Sequence, residues 1–285
     1  MRFISVSDTH FGSAKKDEEK YSENVRWIIR EIEKKNPDEL ILNGDIIDTF
    51  YYRNIESNPH RDLFYELLDS HDKISYIAGN HDIIYKKQKR MGKAEVKYPF
   101  YVTNEIMFIH GHIFDIFHVF PFFYSDIDRV TSYIDRFWEL CPYLFAKVDE
   151  IYTDMEYAER IKYNITSMRT RTFLKVIMRV FPKVIYEGKL QSTSAATFSI
   201  LSMVFPKILL GVPFYSQNPG VLDSKLYTYG RKWSDELFDT VCYGHIHIPF
   251  LIRGTYFSFA NSGFVDSSHA SYVYTDGKKI SVEKL

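Results

Sequence analysis

The sequence predicts an α/β fold, and three observations point to it. Short apolar runs alternate with amphipathic helical stretches over the first ~115 residues, which is typical of an α/β layered core. Five apolar runs end directly in His, Asp or Asn, as expected where strands of a sheet lead into a ligand site. The C-terminal part has the pattern of an antiparallel hairpin. A chain of 285 residues is long enough to bury a core and to carry a second subdomain.

The first predicted elements are a strand at residues 3–7 and, after a polar loop, a helix at about 19–35. Apolar residues recur in this helix at i, i+3, i+4 and i+7, which indicates one buried face. They are Val25, Ile28, Ile29 and Ile32. Asn36-Pro37 ends the helix because proline cannot continue it. A strand at residues 39–43 follows.

The remaining predicted elements are one more helix and several strands. The helix covers about 60–70 and buries Leu63, Phe64, Leu67 and Leu68. Apolar strands are expected at residues 74–78, 106–109 and 241–243, and strands of the tail at 255–260, 270–275 and 279–283. Asp276-Gly277 joins the last two strands, and Asp-Gly in this position is a strong hairpin signal.

Composition predicts a globular chain without a strong charge bias. The net charge is −1 and the pI is about 6.8, so any attraction to nucleic acid or anionic lipid must be local. Cys141 and Cys242 lie far apart in the sequence, and no disulfide framework is expected. The N-terminus enters a strand at once, so a signal peptide is not expected either. The predicted location is therefore the cytoplasm.

Polar motifs follow five of the predicted strands. In chain order they are Asp8-Thr9-His10, Gly44-Asp45-Ile46-Ile47-Asp48, Gly79-Asn80-His81-Asp82, His110-Gly111-His112 and Gly244-His245-Ile246-His247. Because ligand sites of α/β sheets lie at the carboxyl ends of the strands, we expect these side chains to lie together. Carboxylate, amide and imidazole groups without a thiolate are the ligands that hard or borderline divalent metals prefer. The sequence thus predicts a divalent metal site.

This ordered set of motifs resembles the calcineurin-like metallophosphoesterase superfamily. The resemblance implies a four-layer α/β/β/α sandwich of two mixed sheets with a helical cap insertion. It assigns the core to residues 1–117 and 236–285, and the insertion to residues 118–235. It also implies a dinuclear metal centre that activates water for attack on a phosphodiester or pyrophosphate bond.

The resemblance further implies a role for each polar side chain of the motifs. The first metal takes Asp8, His10 and His247, the second takes Asn80, His110 and His245, and Asp45 is shared by both. The expected cofactor is two divalent metal ions, with Mn²⁺ preferred and Fe, Zn, Ni or Mg as alternatives. His81 stands beside the leaving oxygen, and Asp82 is expected to orient its ring. Asp48 supports the site without binding a metal.

Within the superfamily, the chain resembles the UDP-2,3-diacylglucosamine diphosphatase group. The shared features are His110-Gly-His-Ile-Phe-Asp115, the helical insertion, Asn261-Ser-Gly263 and Ser271-Tyr-Val-Tyr274. This implies a nucleotide-linked or lipid-linked substrate. One departure is His81, where the bacterial diphosphatase often has Arg. Protein Ser/Thr phosphatases are excluded, because Thr49-Phe50 follows Asp48 where those enzymes carry Arg-Gly.

The insertion is predicted to be helical, and its charge changes sign along the chain; a basic run is usually a solvated face, but this one lies in an insertion beside the predicted site. Residues 160–207 hold nine basic residues and one acid, Glu187, and residues 195–215 are almost wholly apolar but interrupted by Pro206 and Pro213. A reversible contact with an anionic membrane, on its inner face in the cell, is one prediction for residues 160–215. The alternative is that the apolar run forms the inside of a cap.

Two other functions remain open from the sequence. One is a nuclease acting on DNA or RNA, in which the basic stretch binds the nucleic-acid backbone. The other is a scaffold that has kept the fold without catalysis. The complete set of predicted ligands argues against the scaffold, and the large aliphatic residues between the bases argue against the nuclease.

Overall fold

The computed structural model describes residues 1–116 except 14, 16, 50 and 53, residue 131, and residues 219–285. The chain divides into two compact units, the first formed by Met1–His112 and Asp223–Leu285 and the second by Ile113–Leu222. The helices, basic stretch and apolar run predicted for the insertion lie outside the described residues, position 131 excepted.

The N-terminal elements alternate as predicted. They are β1 (Phe3–Val6), α1 (Glu18–Lys35), β2 (Glu39–Asn43), α2 (Arg61–Asp69) and β3 (Ile74–Ile77). Helix α1 begins after Asp17, whose side chain accepts a hydrogen bond from the Lys20 N–H at 3.0 Å. It ends at Asn36, which adopts the left-handed conformation (φ 43°) common at helix C-termini.

The later elements are mostly strands. They are β4 (Arg90–Met91), β5 (Ala94–Lys97), β6 (Phe100–Thr103), β7 (Ile106–Ile109), α3 (Pro219–Thr228), β8 (Thr240–Tyr243), β9 (Phe250–Arg253), β10 (Ser258–Asn261), β11 (Ser271–Thr275) and β12 (Ile280–Lys284). Short 3₁₀ turns lie at Ile55–Ser57, Ile83–Tyr85, His112–Ile116 and Gly230–Lys232. The predicted hairpin around Asp276-Gly277 is confirmed, since β11 and β12 pair antiparallel.

The strands form the two mixed sheets that the resemblance implied. The seven-stranded sheet has the order β12-β11-β1-β2-β3-β5-β4, and the five-stranded sheet has the order β6-β7-β8-β10-β9. Strands β1, β2 and β3 run parallel in the first sheet, and β7 and β8 run parallel in the second. The carboxyl ends of these five strands therefore carry the five polar motifs.

Strands β1, β2 and β3 contribute to two cores, because successive side chains of a strand point to opposite faces. Ile4 and Leu42 belong to the core that also contains the apolar face of α1. Phe3 and Ile41 belong to a second core, which contains Phe108 and other residues of the five-stranded sheet. Burial of each such side chain stabilises the fold by ~1.5–3 kcal/mol. The central strands are thus fixed from both sides.

Among the described residues, none of the helices combines the length and the apolar character needed to cross a membrane.

Candidate metal centre

The ends of β1, β2, β3, β7 and β8 bring all seven predicted ligands into one region. Six of them are buried, namely Asp8, His10, Asp45, Asn80, His110 and His247, and His245 is half-buried. Burying so many polar side chains is unfavourable unless partners satisfy them. Their arrangement therefore shows what kind of partner the site accepts.

Several residues of this region have an energetically unfavourable backbone conformation. Five of the seven residues adopt a left-handed conformation: Asp8 (φ 54°), His10 (φ 49°), Asp45 (φ 53°), His245 (φ 70°) and His247 (φ 54°). Such angles are uncommon outside glycine and cost ~1–3 kcal/mol each. Hydrogen bonds between loops hold two of these turns, from the Asp8 N–H to the Gly44 carbonyl and from the His10 N–H to the Asp45 carbonyl, both 3.0 Å. The packed sheets thus maintain a conformation that the isolated loops would avoid.

Two motif glycines are required by the close approach of neighbouring ligands. A Cβ atom at Gly44 would overlap the imidazole ring of His110, and the backbone there also has φ +84°. A Cβ atom at Gly244 would overlap the carboxylate of Asp8 and the hydroxyl of Ser7. Each glycine therefore makes room for a side chain from another motif.

The first group of ligands is Asp8, His10 and His247. The Nε2 atom of His247 lies 3.2 Å from Oδ1 of Asp8 and 3.3 Å from Nε2 of His10. The Nε2 atom of His10 lies 4.0 Å from the same carboxylate oxygen. A neutral imidazole has only one N–H, so hydrogen bonds alone satisfy three converging atoms poorly, whereas a cation between them would satisfy all three.

The second group of ligands is Asp45, His110 and His245, whose donor atoms lie within 4.8 Å of one another. The Nε2 atom of His110 lies 3.0 Å from Oδ2 of Asp45. The Nδ1 atom of His110 lies 2.8 Å from the Asn43 carbonyl, which can only accept a hydrogen bond. Nδ1 therefore carries a hydrogen, and Nε2 is the atom available to a metal. The same Nε2 lies 4.0 Å from Oδ1 of Asp8, so the two groups adjoin.

Asn80 adds an oxygen donor to this region. Its Oδ1 atom is buried and has no hydrogen-bond partner in the part of the chain that the structure describes. A buried acceptor left without a donor is costly, which a metal ion would relieve. Carboxylate, amide and imidazole donors together fit a divalent cation.

The sequence comparison identifies the family. A model of the family described as "Calcineurin-like phosphoesterase" matches residues 1–163, more than half of the chain. The chain belongs to this family. It is a metal-dependent phosphoester hydrolase, and the two groups of His and Asp side chains described above are candidate ligands for a divalent metal. A comparison with curated proteins gave no match.

Several solved structures are similar to this phosphoesterase at low identity. A phosphodiesterase from an archaeon has 12% identity and a TM-score of 0.39, covering 100% of both chains. A dimetal phosphatase from Danio rerio has 10% identity and a TM-score of 0.44, covering 100% of this chain and 95% of its own. Vacuolar Protein Sorting 29 from Cryptosporidium parvum has 10% identity and a TM-score of 0.39, covering 100% and 97%.

His81 and Asp48 lie beside the ligands of the phosphoesterase. Oδ2 of Asp48 lies 3.3 Å from Nδ1 of His81 and 3.7 Å from Nδ1 of His10. On the other side of its ring, Nε2 of His81 lies 3.9 Å from Oδ2 of Asp45. Burial alone would raise the pKa of Asp48, but the charge of His81 and the contact with His10 lower it below its ordinary value. Asp48 is therefore an ionised carboxylate between two imidazoles.

Asp82 does not have the predicted contact with the His81 ring. Its oxygens accept hydrogen bonds from the Gly79 N–H at 2.5 Å, the Ile46 N–H at 2.8 Å and the Tyr76 hydroxyl at 2.5 Å. The expectation that Asp82 orients His81 is therefore corrected, because Asp82 joins the loops after β2 and β3 and Asp48 is the carboxylate at the ring. Asp82 is fully buried, which suits this structural role.

Three further side chains support the site and were not assigned roles from the sequence. The Ser7 hydroxyl donates a hydrogen bond to Oδ2 of Asp8 and lies 2.6 Å from the hydroxyl of Ser262. The Asn261 amide donates to the Gly244 carbonyl at 2.8 Å. Sequence spacing gave no signal for the serine pair, since 255 positions separate its members. Only the fold brings them together.

Proposed function

We propose that this phosphoesterase binds two divalent metal ions and cleaves a phosphodiester or pyrophosphate bond. The observation that carries the proposal is the pair of adjoining ligand groups, Asp8/His10/His247 and Asp45/His110/His245. Ions bound there would supply Lewis-acid activation of water and charge neutralisation at the phosphoryl group. Neither group contains a thiolate, which favours Mn²⁺ and leaves Fe, Zn, Ni and Mg as alternatives.

We assign one ion to Asp8, His10 and His247 and the other to Asn80, His110 and His245. Asp45 would contact both ions. The distance of 3.0 Å between Asp45 and His110, and the 4.0 Å between His110 and Asp8, support this assignment. In the metal-free protein, burial lowers the pKa of His110, but the Asp45 carboxylate raises it by more, to about 9. The proton on His110 must therefore leave when a metal binds.

His81 is the proposed proton donor to the leaving oxygen. Its Nε2 faces the metal centre, 3.9 Å from Asp45, while its Nδ1 faces the Asp48 carboxylate at 3.3 Å. The negative charge of Asp48 favours the protonated ring and holds its orientation. A protonated imidazole beside the departing oxygen would prevent an alkoxide from forming, which matters most for poor leaving groups.

The chemical class of the substrate beyond a phosphodiester or pyrophosphate stays a prediction. A nucleotide-linked or lipid-linked substrate, and attachment to anionic membranes, rest on the resemblance to the diphosphatase group and on residues 160–215, which lie outside the described residues. Liposome co-sedimentation at low and high salt tests the attachment. Replacement of residues 118–235 by a short linker tests whether the insertion selects the substrate. The shortened protein should still hydrolyse an aryl phosphodiester, but any preference for long-chain over short-chain lipid substrates should be lost.

One assay tests the proposed activity as a whole. Metal-loaded protein is offered an aryl phosphodiester, a cyclic nucleotide, a nucleotide-diphospho-lipid and single-stranded DNA, with and without Mn²⁺. Hydrolysis of the diester or diphosphate that depends on metal is the expected result, and no turnover of any substrate would contradict the proposal. Turnover of DNA alone, with salt-sensitive binding, would favour the nuclease.

A further inference from the structure

His112 is a buried polar side chain with no assigned role. It lies two positions after His110 at the end of β7 and is fully buried. Neither of its ring nitrogens has a hydrogen-bond partner within the described ranges 1–116 and 219–285. A buried imidazole in this state lacks partners for both a donor and an acceptor, which is unfavourable for the folded protein. A bound ligand that accepts a hydrogen bond would relieve this cost.

The position of His112 relates it to the metal centre. Its ring centroid lies 5.5 Å from that of His110 and 6.3 Å from that of His245. Both neighbours belong to the second ligand group. Among the described residues, however, His112 belongs to none of the groups whose donor atoms converge closely enough to hold a metal. It therefore lies beside the ligands without being one of them.

The chemistry of the ring points to an anionic oxygen as its partner. An imidazole carries at least one N–H in either protonation state, so His112 has a hydrogen to donate. A phosphate held at the adjoining group that contains His110 and His245 would present oxygens that accept this N–H.

We propose that the His112 ring donates a hydrogen bond to an oxygen of the phosphate group bound at the metal centre. This rests on the proposed function, because that function brings a phosphate next to His110 and His245. The same contact would hold the phosphate of the substrate and the phosphate of the product. His112 is thus a substrate-binding residue that determines affinity, whereas His81 acts on the leaving group.

Replacement of His112 by Phe tests the contact, because phenylalanine fills the space without an N–H. We expect the Kd of inorganic phosphate for the metal-loaded protein, measured by calorimetry, and the KM for an aryl phosphodiester to rise about 10- to 100-fold, as for loss of a hydrogen bond to a charged group. Metal content should stay equal to that of the wild type. His112→Gln keeps an N–H donor, so it should recover part of the affinity.

Control measurements distinguish a phosphate contact from a metal-binding or space-filling role of His112. His71→Phe changes a half-buried histidine before β3, at the opposite end of the strand from the site, and should leave both constants unchanged. Loss of metal in both His112 variants would show that the residue acts on the metals, and unchanged phosphate affinity in both would show that it only fills space. Either result overturns the proposal. If the Phe variant does not fold, His112→Leu, which also lacks an N–H, takes its place in the same comparison. Phosphate binding does not require turnover, so failure of the proposed activity would be seen separately, in the wild type.

Discussion

Replacement of Asp48 by Asn removes one negative charge beside His81 and leaves the size of the side chain unchanged. The two groups are buried and 3.3 Å apart, so the attraction between the carboxylate and a protonated ring is about 5 kcal/mol at an effective dielectric constant of ~20. The loss should therefore lower the population of protonated, correctly oriented His81. Loss of such supporting contacts typically reduces activity ~10- to 100-fold.

The assay compares two diesters that differ only in the leaving group. With methyl phenyl phosphate, kcat/KM of Asp48→Asn should fall ~10- to 100-fold, because phenolate needs a proton. With methyl 4-nitrophenyl phosphate the fall should be less than ~3-fold, because nitrophenolate leaves without one. The metal content of the purified variant is measured first, so that loss of metal is not mistaken for loss of the proton donor.

Asp82→Asn is the matched control for this prediction. It changes the carboxylate that was expected from the sequence to orient His81, but whose oxygens bind the Gly79 and Ile46 N–H groups. The variant should be less stable to urea by about 1–3 kcal/mol, since an amide N–H cannot replace a carboxylate acceptor. Its ratio of rates on the two diesters should match that of the wild type. If Asp82→Asn changes this ratio and Asp48→Asn does not, the assignment of Asp48 is refuted.

Three other predictions concern metal binding. Asp45→Ala should lose at least one metal and nearly all turnover, and elemental analysis showing two metals per chain with wild-type rates would contradict the shared-ligand assignment. Metal binding to the apo-protein at pH 7.5 should release about one proton from His110, because the pKa of its ring is about 9. The apparent metal affinity should therefore increase with pH up to about 9. Calorimetry in buffers of different ionisation enthalpy measures the number of protons released. Ser7→Ala removes a hydrogen-bond donor to the Asp8 carboxylate and should weaken metal affinity ~10- to 100-fold. The control Ser281→Ala, on β12, should leave metal affinity unchanged. Equal affinities in the two variants would show that Ser7 is not needed for metal binding.

The parts of the fold that could be predicted are those with strong periodic patterns. Helix α1 was found because one of its faces packs against a core, which imposes a 3.6-residue period on the sequence. Strands β1 to β3 were found because both of their faces are buried, which makes them short and nearly continuous apolar runs. Strands β4 to β6 and β9 were missed. They are short, and their residues are mostly half-buried or exposed, so burial imposes little pattern on them.

The sequence indicated which side chains meet at the strand ends, but not the contacts that support them. Motif spacing identifies residues at strand ends, whereas the neighbours of a side chain depend on how loops pack. Asp82 is next to His81 in sequence, yet its carboxylate points to the loop after β2. Asp48 reaches the ring because the Thr49 N–H donates to the His81 carbonyl at 3.1 Å, which brings the two loops together. No spacing rule contains that information.

The left-handed turns at Asp8, His10, Asp45, His245 and His247 have a consequence for engineering this protein. Glycine would relieve the backbone at each position, so a library screened for thermal resistance alone should enrich glycine there. Every such gain would remove a proposed metal ligand. Screening the same library in the presence of saturating metal should reverse the preference, because binding to the native state alone adds to its stability. Selection for heat resistance would thus favour glycine at these five positions in the apo-protein and the present residues in the metal-loaded protein.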